Sequence, residues 1–346
     1  MDARALAALA ANPGCRRRAL LDGAGVPKAA LAESLGVPSG FGQSQFAFMR
    51  GHAFEARVTR DGGAELLRLT HACLGGGPEP APGDARTPDL SAAGPEGRVA
   101  RTALALREAA DAGAWTLLDH PMLALDVAGT PAFLEPDAVV VAPDGTWTVV
   151  EIKSFPMIDG AADPAKVGAA ARQAAVYALA LADVAAGLDP APTVRDRVLL
   201  VCPKDFSNLP TAAAVDIRKQ LSVTRRQLAR LDRVEDIAAS LPPGTTFDVT
   251  RPAAELTAAV DAVPATYAPE CLAACELAFH CRARSRARGE VTALGRPLRA
   301  ELGALSTVPQ ALAAARGEAG DPEDPAVAAL RRAGALRAEA LAGRSA

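Results

Sequence analysis

Two β-rich runs, Ala138-Val139-Val140-Val141-Ala142 and Thr146-Trp147-Thr148-Val149-Val150-Glu151-Ile152, are separated by Pro143-Asp144-Gly145. Proline presets φ and glycine accepts positive φ, so the sequence predicts a β-hairpin turning near Asp144. Such a hairpin fixes which residues meet. Folding about the turn pairs positions by constant sum, which brings Asp137, just before the first strand, opposite Glu151, near the end of the second. Side chains alternate along a strand, so Glu151 and Lys153 share one face and Ile152 takes the other. Asp137, Glu151 and Lys153 therefore converge at one strand end. Paired carboxylates suit a hard divalent cation such as Mg²⁺ or Mn²⁺. A neighbouring lysine would orient an attacking water, or deprotonate it as the free amine, and its ammonium would stabilise charge developing on a phosphate. The alternative is a surface hairpin ending in an ion cluster.

With 346 residues, 50% of them apolar, the chain has length and hydrophobicity for a decorated domain or two lobes. A formal net charge of −3 does not mark a nucleic-acid binder, so any such contact must come from local basic patches. No run of 18 apolar residues occurs, which argues against a spanning helix and a membrane partner. The stretch from Met1 to Cys15 offers Arg4 alone as a basic residue and carries Asp2, so a cytoplasmic location is expected.

In chain order, residues 1–36 read as helical, and Met49 to Val58 forms a further helix with Phe54 and Val58 on one stripe and Glu55 beside them. Between residues 75 and 97, Gly and Pro supply eleven of twenty-three positions, which reads as a flexible loop without packed structure. Arg98–Ala112 is helical by propensity. Thr116–Leu118 and Met122–Val127 are strand candidates that would join the hairpin in an antiparallel meander. A long Ala-rich helix over 161–186 and a short buried strand over Arg197–Pro203 follow. Thr211–Ser240 reads as one or two helices, Pro252–Val263 as another, and the remainder from Ala300 as helix or disordered tail.

Six cysteines are present, and three of them, Cys271, Cys275 and Cys281, form a C-x₃-C-x₅-C nest that needs one more ligand. Cys15 supplies it. Four thiolates suit an iron–sulfur cluster or a tetrahedral zinc site, and unliganded core thiols are the alternative. Cys73 and Cys202 read as ordinary small hydrophobes.

The run Pro136-Asp137, thirteen residues, Glu151-Ile152-Lys153 resembles the signature of the PD-(D/E)XK nuclease superfamily. Gln173 and Tyr177, one helical turn apart, resemble the Q-x-x-x-Y motif of its RecB-like branch, and Arg50-Gly51-His52-Ala53-Phe54-Glu55 resembles that branch's first motif. One cysteine early in the chain and three beyond the core resemble the CRISPR-associated and AddB-type iron–sulfur exonucleases. Their middle pair is commonly C-x₂-C, so the x₃ spacing departs from that pattern and keeps zinc open. The resemblance implies an α/β fold with a restriction-endonuclease-like αβββαβ core, helical additions and a cysteine-bound cluster joining the N- and C-terminal segments.

For the site, the resemblance implies Asp137 and Glu151 as metal ligands with the Ile152 carbonyl, Lys153 as the catalytic lysine, and Glu55 or His52 completing the metal site. Gln173 and Tyr177 would position DNA, and Cys15, Cys271, Cys275 and Cys281 would hold a 4Fe-4S cluster, with zinc as the alternative. The expected activity is Mg²⁺- or Mn²⁺-dependent DNA hydrolysis at single strands or ends, in DNA repair, recombination or CRISPR-type defence, alongside a helicase or defence-complex partner. A non-catalytic DNA-binding subunit is the competing reading. The expected organisation is an N-terminal helical segment (1–48), a nuclease core (49–210, with 75–97 as its loop), a helical region with three cluster cysteines (211–290) and a tail (291–346). Closing the cluster would also bring Arg16, Arg17 and Arg18 beside Arg282, Arg284, Arg286 and Arg288, and a basic surface for the phosphate backbone is expected there.

Overall fold

A computed structural model describes residues 1–37, 45–81, 83–205 and 207–342. Two compact units result, each made from segments distant in sequence: Met1–Pro13 with Gln43–Arg233, and Gly14–Gly42 with Val234–Ala346.

The first unit is mixed α/β. Its main sheet contains β1 (Thr116–Asp119), β4 (Ala138–Val141), β5 (Thr146–Ile152), β7 (Arg197–Pro203) and β8 (Pro210–Asp216), in the order β1-β4-β5-β7-β8, with the two-residue β6 (Thr193–Val194) also beside β5. β2 (Leu123–Val127) and β3 (Thr130–Leu134) form a separate two-stranded sheet. The expected meander is therefore corrected: β1 skips its sequence neighbour and pairs antiparallel with β4, while β2 and β3 turn back on each other. The hairpin pairs Ala138 with Val150 and Val141 with Trp147, the register that the constant-sum rule gives.

β5 and β7 run parallel, a pairing that needs a crossover, and the Pro164–Ala186 helix supplies it. Asp163 caps that helix by accepting from the Ala165 and Lys166 amides, and Pro164 stands in its first turn, where a missing N–H costs nothing. Its buried face is largely alanine, including Ala170, Ala171, Ala174 and Ala178. On the opposite face of the sheet, Phe54 and Val58 of the Gln45–Val58 helix join Leu66 and Leu67 of the Arg60–Leu74 helix. These pack with Trp115, Val140, Val150, Ile152, Leu199 and Val201.

Two further expectations change. Residues 210–216 form β8, an edge strand, with helices only from Arg218 to Leu228 and from Val234 to Ala239. The Gly/Pro-rich stretch is laid onto the structure, and its last residues, from Gly94, already belong to the Gly94–Ala112 helix. Arg86 brackets the start of β1, donating to the Trp115 carbonyl at 2.9 Å and accepting from the Leu117 amide at 2.8 Å. Trp115 Nε1 donates to the Pro78 carbonyl at 2.8 Å, and Leu90 is buried. Gly76, at φ +124°, lies so close that a Cβ there would stand 2.6 Å from that of Ala142.

The second unit is helical. Leu21 and Leu31 from the helices Arg16–Gly23 and Lys28–Ser34 pack with Leu256 and Val260 of Ala253–Ala262 and with Leu277. Cys275 and Cys281 lie against this core. The end of the chain adds Val308–Ala315 and Pro325–Ala342; residues 343–346 of the expected tail lie outside the described residues. Among the described residues, no helix is long and apolar enough to cross a membrane.

Candidate functional site

Asp137, Glu151 and Lys153 come together at the C-terminal end of β5. Asp137 Oδ2 accepts from the Ile152 amide at 2.6 Å and from Lys153 Nζ at 3.3 Å, and Lys153 also forms an ion pair with Glu151. The carboxylate at 137 thus plugs the backbone position where the ladder between β4 and β5 stops. Ile152 has its N–H on that side of the strand, and in extended backbone its carbonyl faces the same way, while its side chain enters the apolar core.

Glu151 is 1% exposed, and neither of its oxygens has a hydrogen bond of acceptable geometry; the Lys153 ammonium lies against Oε2 as a bare ion pair. Burial pushes its carboxyl pKa up, Lys153 opposes that, and Asp137 adds to it, leaving the group at about 7. Burial acts on Lys153 in the opposite sense, but Glu151 and Asp137 outweigh it and hold the ammonium above its ordinary range. Two carboxylates and one ammonium leave the corner one positive charge short of balance when Glu151 is ionised.

The Pro164–Ala186 helix sets Gln173 and Tyr177 beside this corner, with Gln173 Nε2 donating to the Tyr177 hydroxyl at 3.0 Å. Burial raises the Tyr177 pKa, and the charges of Glu151 and Asp137 raise it further, which marks the phenol as their neighbour. Cys202, fully buried on β7, also feels Lys153, although burial dominates and pushes its thiol up to about 12.

Glu55 joins the same region through a residue that sequence reasoning missed. His120 Nε2 stands 3.0 Å from Glu55 Oε1, and Nδ1 stands 3.0 Å from Asp119 Oδ1. Hydrogen bonds to Asp119 and Glu55 raise the His120 pKa from 6.5 to about 10, and the bond from His120 pulls Glu55 below the usual carboxylate range. His52 is farther from Glu55, at 3.9 Å, and its side chain is 64% exposed. The signal that could have exposed His120 is its place at the end of an apolar strand, in Asp119-His120-Pro121.

In the second unit the four thiols of Cys15, Cys271, Cys275 and Cys281 are electrostatic neighbours, although 256 residues separate the first two in sequence. Cys281 feels Cys15 and Cys271, and Cys275 feels Cys15 and Cys281. Burial pushes Cys275 up to about 12 against the pull of Arg18, and raises Cys281 against the pull of Arg17. Arg17 is 4% exposed; it donates to Cys281 Sγ at 3.1 Å and to the Val263 carbonyl at 3.2 Å, and pairs with Asp261 at 3.5 Å. Arg18, also buried, donates to Asp22 at 2.9 Å and to the Ala274 carbonyl.

The expected basic surface is corrected in part, since Arg16, Arg284, Arg286 and Arg288 are exposed but Arg17 and Arg18 are not. Arg17 and Arg18 turn inward to the sulfurs, while Arg284 pairs with Asp261 at 2.8 Å, Arg288 with Glu290 at 3.3 Å, and Arg282 stacks over Phe279. As the side chains lie, no three His, Cys, Asp or Glu among the described residues are gathered tightly enough to hold a metal ion between them.

A buried carboxylate whose one close partner is the Lys153 ammonium, a second carboxylate beside it and a backbone carbonyl suit Mg²⁺ or Mn²⁺, which bind through one or two carboxylates and keep several waters. Four neighbouring thiols flanked by two buried guanidinium groups suit a negatively charged thiolate centre. Comparison with known proteins adds no further guide: no family model, no curated protein and no solved structure matches the chain.

Proposed function

We propose that the chain is a divalent-metal-dependent DNA nuclease of PD-(D/E)XK type. The observation that carries this reading is the buried corner where Asp137, Glu151 and Lys153 meet, with Gln173 and Tyr177 beside it. The order of a helix, three antiparallel strands, a crossover helix and a parallel strand around that corner supports it as well. A divalent cation bound there would polarise the scissile phosphate and lower the pKa of an attacking water.

The chain's own groups have distinct parts. Asp137 and Glu151 are the ligands, together with the Ile152 carbonyl. Lys153 stands as an ammonium between the two carboxylates of the metal-free corner, from where it would donate to and neutralise charge on a phosphoryl oxygen. Gln173 and Tyr177 offer an amide and a hydroxyl to a neighbouring phosphate or base. Single-stranded DNA and ends are the proposed substrates, and a helicase or defence complex the proposed partner.

The four cysteines are proposed to hold an iron–sulfur cluster, supported by the inward-facing Arg17 and Arg18, with zinc as the alternative that metal analysis decides. Protein purified without oxygen and analysed for iron, sulfide and zinc is then offered labelled single- and double-stranded DNA with Mn²⁺. Cleavage by the wild type and none by Lys153→Ala is expected. Cleavage surviving that substitution unchanged refutes the assigned site.

A further inference from the structure

β1 ends in a turn that the backbone makes at His120, at φ +47°, in the left-handed region that β-carbon residues seldom enter. Asp119 pairs with Ala138 in the ladder between β1 and β4, so the next position places His120 across from Asp137, and the His120 amide donates to the Asp137 carbonyl at 3.2 Å. The hairpin register in turn places Asp137 across from Glu151. One row across three strands therefore reads His120, Asp137, Glu151. The same residue is tied on two further sides. Its carbonyl accepts from Arg98 Nη2 at 2.9 Å, and Arg98 also pairs with Glu135 at 2.7 Å, two residues before Asp137. Its ring bridges Asp119 and Glu55 at 3.0 Å each.

From this geometry we infer that His120 is a positioning residue that fastens Glu55, carried on the Gln45–Val58 helix, to the row bearing Asp137 and Glu151, so that Glu55 serves the divalent cation. The inference rests on the metal-dependent reading of the site. Without the ring, Glu55 loses its 3.0 Å partner and keeps His52 at 3.9 Å, with the like charge of Asp119 nearby. A strained histidine backbone is held in place by bonds to Asp137 and Arg98, and what histidine adds at that position beyond any turn residue is the reach of Nε2 to Glu55.

The backbone and ring roles separate experimentally. In His120→Gly the left-handed turn is retained without strain and the ring is gone; in His120→Gln an amide nitrogen returns within reach of Glu55. Mn²⁺ binding is measured directly on each protein by the loss of the free-ion electron paramagnetic resonance signal, and DNA cleavage is followed over a range of Mn²⁺ concentrations. His120→Gly is expected to raise the half-saturating Mn²⁺ concentration about tenfold or more, with a smaller change in turnover at saturation, and His120→Gln to recover part of the affinity.

Unchanged Mn²⁺ affinity in His120→Gly, or turnover lost equally at every Mn²⁺ concentration, overturns the inference. A wild type that binds Mn²⁺ but cuts no DNA defeats the nuclease reading alone, since the binding comparison still decides the role of His120. A wild type that binds no Mn²⁺ defeats both.

Discussion

Replacing Glu151 with glutamine should make the metal-free protein more stable at alkaline pH while removing a ligand of the proposed metal site. The carboxyl is 1% exposed, and its pKa rises from 4.5 to about 7 because burial penalises the charged form more than Lys153 favours it. A group that binds its proton more tightly folded than unfolded contributes most below its unfolded pKa, and that contribution drains away as pH climbs from 4.5 to about 7. At about 1.4 kcal/mol per pH unit of displacement, the loss by pH 8 amounts to ~3 kcal/mol. Glutamine has nearly the same shape and never ionises, so the variant should lack this decline, and Lys153 keeps Asp137 at 3.3 Å as its partner.

Urea unfolding of wild type and Glu151→Gln at pH 5, 6, 7 and 8, with chelator present, measures the difference. The curves should converge at the acid end and diverge upward, with Glu151→Gln gaining on the order of 5–10 °C in parallel melting experiments at pH 8. In the presence of Mn²⁺ the wild type should recover and the variant should not, because ligand binding stabilises the folded state that holds it. A Glu151→Gln protein less stable than wild type at pH 8 would show that Lys153 depends on the charge of Glu151, and that the corner is an ordinary structural ion pair.

Other consequences can be checked independently. The His120 ring should still carry both protons at pH 8 by nitrogen-15 NMR; its pairing with Glu55 and Asp119 is fully present below 6.5 and is lost only as pH approaches about 10. Arg17→Met should destabilise the helical unit by about 3 kcal/mol in chemical denaturation, because the Val263 carbonyl and Asp261 lose a buried cationic partner. If the four cysteines hold the proposed cluster, Cys281→Ser should abolish the bound iron, or the bound zinc of the alternative, in protein purified without oxygen. Gly76→Ala, which forces a side chain to 2.6 Å from Ala142 at φ +124°, should cost about 2–4 kcal/mol by thermal melting.

The strongest local signals in the sequence are those that the fold retains. Pro143-Asp144-Gly145 determines the turn, and alternation along β5 separates Ile152, in the apolar core, from Glu151 and Lys153 at the polar corner. The run Arg197–Pro203 is buried on both faces and reads as a strand for that reason. β8 was illegible because Thr211-Ala212-Ala213-Ala214-Val215 has helix-favouring alanines, and its strand state comes from pairing with β7, a tertiary effect.

Pairing of β1 with β4 was equally hidden, since nothing local tells a strand to skip the hairpin that follows it. Among the candidate site residues, the constant-sum rule predicts the meeting of Asp137 and Glu151, but it does not reach His120, whose contact with Glu55 comes from a turn and from a helix some 65 residues earlier. The inward direction of Arg17 and Arg18 was concealed for a related reason: arginine reads as surface until a buried partner such as Cys281 or Asp22 is known.

Each unit is assembled from pieces that leave the ribosome at different times. The segment Gly14–Gly42 must wait until Val234 and the residues after it have been made before it can find its core. At 5–20 residues per second, synthesis of the intervening stretch takes on the order of ten seconds or longer. During that interval Leu21, Leu31 and the thiol of Cys15 lack the neighbours that later cover them. The Gly14–Gly42 stretch is thus open to oxidation and sticking while its partners are made, and a chaperone guarding it would raise yield.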